Sequence, residues 1–175
     1  MEAPFINALQ SQNSVQFHPF FGFSDSSWND DADTGRSTGC FIITYVGGVV
    51  DHSSNMPDPV TLSSAEAEYN EGCVAFMAAS HLRMLLCELE GVDESTLSPT
   101  TIFFDSKSAI VMGSSYKDTK HTRYIQRRYH YSRENIANNR FSMDWITSEF
   151  QIADIGSVAL IHIKVGDQLM QIQEG

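Results

Sequence analysis

Paired cysteines, basic charge and long apolar runs are all scarce in this 175-residue sequence, and each shortage excludes a class of protein. Three cysteines, Cys40, Cys73 and Cys87, are too few and too scattered for a disulfide framework, and no C-x-x-C pair offers a zinc site. They read as reduced core cysteines of an intracellular protein, cytoplasmic or nuclear and not secreted. No apolar run approaches the roughly 18–20 residues needed to cross a bilayer. The N-terminal stretch "MEAPFINALQSQN" lacks the basic region and apolar block of a signal peptide. No membrane partner is therefore expected. Lys and Arg together number 11 against 22 Asp and Glu, a net charge of −11, which at first argues against a nucleic-acid partner.

The distribution of charge changes that reading. Six of the basic residues, Lys117, Lys120, Arg123, Arg127, Arg128 and Arg133, are opposed within 117–133 by Asp118 alone, so the stretch carries +5 on a body that carries −16. A basic stripe on an acidic body can track phosphates, although a charge run is more often a solvated helix face. Hydrophobic residues make up 42% and mean hydropathy is −0.21, as in an ordinary globular chain of one domain with one core.

Residues 1–16 lack periodicity and read as a linker or tail, and 17–160 as the folded domain. "QFHPFFGFSD" predicts a first strand, "GCFIITYV" a second and "VVDHSS" a third, with Gly47-Gly48 as a tight hairpin turn. "NMPDP" breaks the chain. "SSAEAEYNEGCVAFMAASHLRMLLCELEG" predicts a long helix, capped by serine and stopped at Gly91. Val74, Met77, Ala78, Leu82, Leu85 and Leu89 follow 3–4 spacing as its expected buried stripe, with Met84 also assigned to the core. "TTIFFD" predicts a fourth strand, "SKSAIVMGSS" a short helix, "HTRYIQRRYHYSRENIANN" a basic helix, "RFSMDW" a fifth strand and "SEFQIADIGSVAL" a last helix. Residues 161–175 read as a tail. A hairpin meander followed by βαβ-like units predicts an α/β protein, a five-stranded mixed sheet with helices on both faces.

Two of these strands end on a carboxylate, Asp25 and Asp105. If the first and fourth strands are parallel neighbours, both aspartates reach one crevice outside the strand ends. The long helix can add Glu66 or Glu68, and the last helix Asp154. Four carboxylates together repel unless cations neutralise them, and oxygen donors suit hard divalent ions such as Mg²⁺. Two such ions about 3.5–4 Å apart would activate a water and stabilise the leaving oxygen in phosphodiester cleavage. An aspartate after a strand is more often a turn or cap residue.

The stretches "GFSDSSW", "DADTGRSTGCFI", "VTLSSAEAEYNEG", "TIFFDSKSAI", "TKHTRYIQRRYHYSRE" and "QIADIGSVAL" run in order over about 21–160. In them the chain resembles the ribonuclease H domain of a copia-type (Pseudoviridae-like) LTR retrotransposon Pol polyprotein. The resemblance implies an RNase H-like fold and an endonuclease that hydrolyses the RNA strand of RNA–DNA hybrids, leaving 5′-phosphate ends. It implies two Mg²⁺, or Mn²⁺, held by four acids: Asp25 between both ions, with Asp105, Asp154 and one glutamate. The polar pair that precedes that glutamate in the family, laid on Ser63 and Ser64, selects Glu68 over Glu66. The two lie about 200° apart around a helix, so both cannot face the site.

Ser63, Ser64 and Ser106 then become candidates for contact with the hybrid, where a 2′-hydroxyl distinguishes RNA from DNA; helix capping is their alternative. Lys120, Arg123, Arg127 and Arg128 would hold the DNA strand or the distant duplex backbone. The resemblance further implies a reverse transcriptase domain upstream in a parent polyprotein, and a cytoplasmic virus-like particle or the nucleus as location. The sequence departs from the wider family in three places. "WITSEF" has no histidine, Tyr124 stands where many copia-type domains have one, and Ser157 is followed by Val158 where a lysine is usual. A catalytically silent connector or partner-binding module on the same fold is the alternative function.

Overall fold

The computed structural model describes residues 20–29, 33, 35–56, 61–114 and 123–157, with the backbone alone for 123–128. The expected tails (1–16 and 161–175), the start of the first strand, the prolines of the "NMPDP" break, Lys117 and Lys120 lie outside the described residues.

Aromatic residues in β1 (Phe20–Ser27) and aromatic and β-branched ones in β2 (Thr38–Tyr45) form the first two strands, both buried over runs of consecutive residues because the sheet is covered on its two faces. They pair antiparallel, with Phe23 opposite Ile42 and Asp25 opposite Cys40. β3 (Gly48–Asn55) pairs antiparallel with β2 at the sheet edge. The hairpin turn sits one residue earlier than expected: Val46 and Gly47 hold φ of 54° and 78°, and Gly48 already pairs with Tyr45. A two-residue hairpin of type I′ has positive φ at both central positions, so the pairing of Tyr45 with Gly48 forces it on a valine.

The long helix, α1 (Ser64–Glu90), runs between the expected signals. Ser63 caps it by accepting the Glu66 N–H at 3.2 Å, and Gly91 ends it at φ 65°. The expected stripe is not the buried one. Met77, Met84, Leu85 and Leu89 are 40%, 53%, 44% and 74% exposed, and Val74, Ala78 and Leu82 sit at the margin. The buried face carries Tyr69, Cys73, Phe76, Ala79 and Arg83. Both sets obey 3–4 spacing. Size decides between them, because Gly72, Ala75 and Ala79 let the helix lie close to the sheet, with Gly72 against the Phe104 ring. By length and composition α1 is long and apolar enough to cross a membrane, contrary to the expectation from apolar runs. In this fold it packs on β1, β2 and β4 and buries Glu68, Glu71 and Arg83.

β4 (Thr100–Phe104) pairs parallel with β1, and β5 (Phe141–Trp145) parallel with β4, giving the order β3-β2-β1-β4-β5. α2 (Lys107–Ser114) and α3 (Arg123–Ala137) follow β4. The predicted last helix is broken: Ser148–Phe150 is a single 3₁₀ turn, and α4 is the short helix Asp154–Ser157. Side chains alternate across the sheet, so two cores form. Phe41, Ile43, Ile102 and Phe104 face α1 and enclose Phe76 and Phe141, each such aromatic contributing about 1.5–3 kcal/mol by burial. Phe23 and Cys40 pack on the other face with Ile146 and Ala153. On β2 the alternation is sharp. Gly39 has no Cβ because the Glu71 carboxylate of α1 occupies that space, while the next residue, Cys40, meets Gly156 of α4.

The end of the sheet remote from Asp25 is held by a polar network. The buried Arg83 guanidinium donates to Ser98 O and Thr100 Oγ1, both at 2.8 Å, and pairs with Glu94 at 3.2 Å. Arg140 shares the same Glu94 oxygen at 2.5 Å.

Candidate metal centre

Parallel pairing of β1 and β4 sets the site. Phe23 is level with Phe103, so two residues further on Asp25 and Asp105 stand side by side at the strand ends. Ala153 packs against Phe23 and Cys40, which carries Asp154, the first residue of α4, to the same place. One ligand oxygen from each of Asp25, Asp105 and Asp154 lies within 4.8 Å of the others. Asp25 is buried, and the Ser157 hydroxyl, itself fully buried, donates to its Oδ2. Ser148 Oγ donates to Asp105 Oδ2 at 2.8 Å.

Glu68 comes from the first turns of α1. It lies outside the tight triad, is buried, and its Oε2 has no hydrogen-bond partner among the described residues. Burial, reinforced by the charges of Asp25, Asp105 and Asp154, pushes its pKa up to about 9, against a backbone contact with Ser26 that favours the anion. Asp25 is pushed up to about 7, chiefly by burial and then by Asp154 and Asp105, with the Ser157 hydroxyl opposing. Oxygen donors that cannot all ionise together suit a hard cation, whose charge would replace the missing protons. The orphaned Glu68 oxygen beside three converging aspartates fits that group.

Glu66 is turned away from this cluster. Its Oε2 accepts the Leu62 N–H at 2.9 Å while its own N–H donates to Ser63 Oγ, a reciprocal pair like a capping box but reaching one residue before the cap. The Ser63 hydroxyl is thus engaged in capping, Ser64 opens α1, and Ser106 Oγ accepts the Ala109 N–H at 3.3 Å at the start of α2. Arg123, Arg127 and Arg128 fall on α3, but their side chains, like Lys120 as a whole, lie outside the described residues. Arg133 of the same basic run turns inward over the Tyr129 ring, with its guanidinium 5.8 Å from the ring centroid.

Sequence reasoning gave no role to four residues here: Ser148, Ser157, Gln151 and Trp145. Gln151 is fully buried and donates through Nε2 to Ser24 O at 3.0 Å. The Trp145 indole N–H donates to Asp105 O at 3.0 Å. Each contact joins segments at least 40 residues apart, and local pattern carries no trace of it.

No family model matches the chain. Among solved structures, RNase H1 from the halophilic archaeon Halobacterium salinarum superposes with a TM-score of 0.56 at 16% identity, covering 79% of this chain and 93% of that one. LC11-RNase H1, solved in complex with an RNA/DNA hybrid, gives 0.54 at 16% identity, covering 78% and 92%. The fold is therefore RNase H-like, with the five-stranded mixed sheet and helices on both faces that the sequence led us to expect.

A sequence relative narrows this. The Retrovirus-related Pol polyprotein from transposon TNT 1-94 of Nicotiana tabacum is 27% identical over 134 residues, which is 77% of this chain. The chain spans about a tenth of that relative's length, the matched part being 10%. Sequence relative and fold together support the RNase H domain of a retrotransposon Pol polyprotein.

Proposed function

We propose that this chain is a metal-dependent endoribonuclease that hydrolyses the RNA strand of RNA–DNA hybrids, leaving 5′-phosphate ends. It would act as the RNase H part of a copia-type retrotransposon reverse transcriptase. The observation that carries the reading is the convergence of Asp25, Asp105 and Asp154 within 4.8 Å, beside a buried Glu68 with an oxygen unpartnered among the described residues. Asp25, Asp105 and Asp154, with Glu68 beside them, would hold two divalent cations. When bound, Mg²⁺ or Mn²⁺ would activate water, polarise the scissile phosphate and stabilise the leaving oxygen.

The chain's own residues have distinct tasks. Ser157 holds the Asp25 carboxylate in one orientation, and Ser148 does the same for Asp105. Burial favours the protonated forms of Asp25 and Glu68, and a bound cation would offset that preference. Ser64 and Ser106, at helix starts beside the cluster, would contact the hybrid, and Ser63 would do so through its helix end. Lys120, Arg123, Arg127 and Arg128 would hold the backbone at a distance from the cut.

The test is cleavage of an end-labelled RNA–DNA hybrid in Mg²⁺ or Mn²⁺, beside the Asp105→Asn variant. Double-stranded RNA, double-stranded DNA and single strands serve as controls. Cleavage of the RNA strand that needs both hybrid and metal, and is lost in the variant, is expected. Folded protein that cuts none of these substrates at high concentration would overturn the reading in favour of a non-enzymatic binding module.

A further inference from the structure

Trp145 is an unusual surface residue. It ends β5, level with Phe104 and beside Asp105, and 42% of it is exposed. It is nevertheless fixed. Its backbone N–H donates to Asp144 Oδ1 at 2.7 Å, and its indole N–H donates to the Asp105 carbonyl at 3.0 Å. Lys107, the first residue of α2 and exposed to solvent, places its ammonium 4.3 Å from the ring centroid. The rim of the carboxylate cluster thus carries a rigid π-surface and a cation side by side, on a chain whose net charge is −11.

This composition matches one kind of partner. Nucleic-acid strands are held by aromatic rings that stack bases and by cations that take the neighbouring phosphates. A phosphate approaching three aspartates needs a compensating charge close by, and Lys107 stands two residues from Asp105. The hydrogen bond to Asp105 ties the ring to the same backbone that carries a site carboxylate, so a stacked base would be registered against the cluster.

We infer that Trp145 and Lys107 form a strand-binding platform for the proposed nuclease. The indole stacks a base of the bound strand and the Lys107 ammonium takes an adjoining phosphate. The inference rests on the nucleic-acid reading of the site, and it adds two contacts that lie outside the basic segment 117–133.

The test uses hybrid binding by anisotropy in Mg²⁺, in the uncleaving Asp105→Asn background, together with cleavage kinetics in the otherwise native chain. Trp145→Ala is expected to weaken binding about tenfold and to raise KM with little change in kcat, and Trp145→Phe to restore most of the affinity. Lys107→Gln is expected to lower the slope of log K against log salt by about 0.9, the share of one phosphate. With Trp28→Phe, Trp145 is the remaining tryptophan of two, and its emission is expected to be quenched by hybrid. Unchanged affinity, salt slope and emission in a protein that binds and cleaves hybrid would overturn the platform and leave the nuclease reading intact. Binding without cleavage by the native chain, lost in the Trp145→Ala and Lys107→Gln variants, would support the platform and sink the nuclease. No binding of any nucleic acid would overturn both.

Discussion

Gln151 is hydrogen-bonded to Ser24. Its Nε2 donates 3.0 Å to the Ser24 carbonyl, one residue before Asp25, while its Oε1 accepts the Ala153 N–H at 3.4 Å, one residue before Asp154. A single buried amide thereby spans the backbone leading into two of the converging carboxylates. Gln151→Leu keeps the bulk and leaves a carbonyl and an amide unpaired, so a loss of about 2–3 kcal/mol in stability is expected. The metal concentration for half-maximal cleavage is expected to rise about 10-fold or more, as for other residues that orient metal ligands. Urea unfolding and a Mn²⁺ titration of activity measure the two effects. An unchanged metal requirement would reduce Gln151 to a purely structural role.

The pKa values of Asp25, about 7, and Glu68, about 9, lie above the ordinary carboxylate range. Between those values and the unfolded value near 4, the folded protein binds more protons than the unfolded chain. The contribution of these two groups to the stability of the metal-free protein is therefore expected to fall as pH rises from about 4 to about 9. Unfolding in EDTA at pH 5, 7 and 9 checks the sign, and stability that climbs across this window would contradict it. Glu68→Gln removes the titration of one group. At pH 8 without metal it is expected to gain about 1–3 kcal/mol while losing cleavage.

The two glutamates of "SAEAEY" have separable tasks. Glu66→Gln keeps an acceptor for the Leu62 N–H, and a change below about 0.5 kcal/mol with near-native cleavage is expected. Ser63→Ala removes the helix cap and is expected to cost about 1 kcal/mol. The comparison of cleavage by Glu66→Gln and Glu68→Gln decides between them. Loss of activity in the former with retention in the latter would reverse the assignment.

Val46 holds φ 54°, a conformation that a β-branched side chain adopts only under strain. Val46→Asn or Val46→Gly is expected to stabilise the protein by about 1 kcal/mol without altering cleavage. A drop in thermal midpoint would mean that the half-exposed valine side chain packs more favourably than the strained backbone costs.

Legibility in the sequence followed the range of the interactions. Strand and helix identities came from local chemistry: the apolar and aromatic runs of β1 and β2, the Ser63 cap, the Gly91 stop. Asp25 and Asp105 could be paired from sequence because each comes directly after an apolar run whose parallel adjacency topology favours, although β1 continues past Asp25 to Ser27. The buried face of α1 was misjudged because two stripes share its 3–4 spacing, and only the small residues Gly72, Ala75 and Ala79 tell which one approaches the sheet. The segment 148–160 looked helical because nothing local reveals that the Gln151 side chain is engaged by Ser24, 127 residues away. Ser157 reaches Asp25 across 132 residues for the same reason.

The Arg83–Glu94–Arg140 network and the acid cluster lie at opposite ends of the same sheet, and they pull in opposite directions. One fastens the architecture, and the other strains against it, since metal-free Asp25 and Glu68 resist ionising in place. A neutral side chain in place of Glu68 would relieve part of that strain. Asp25 and Glu68 are thus a burden that the scaffold carries for something outside itself, and folding strength is surrendered at one end of the sheet that the other end must supply.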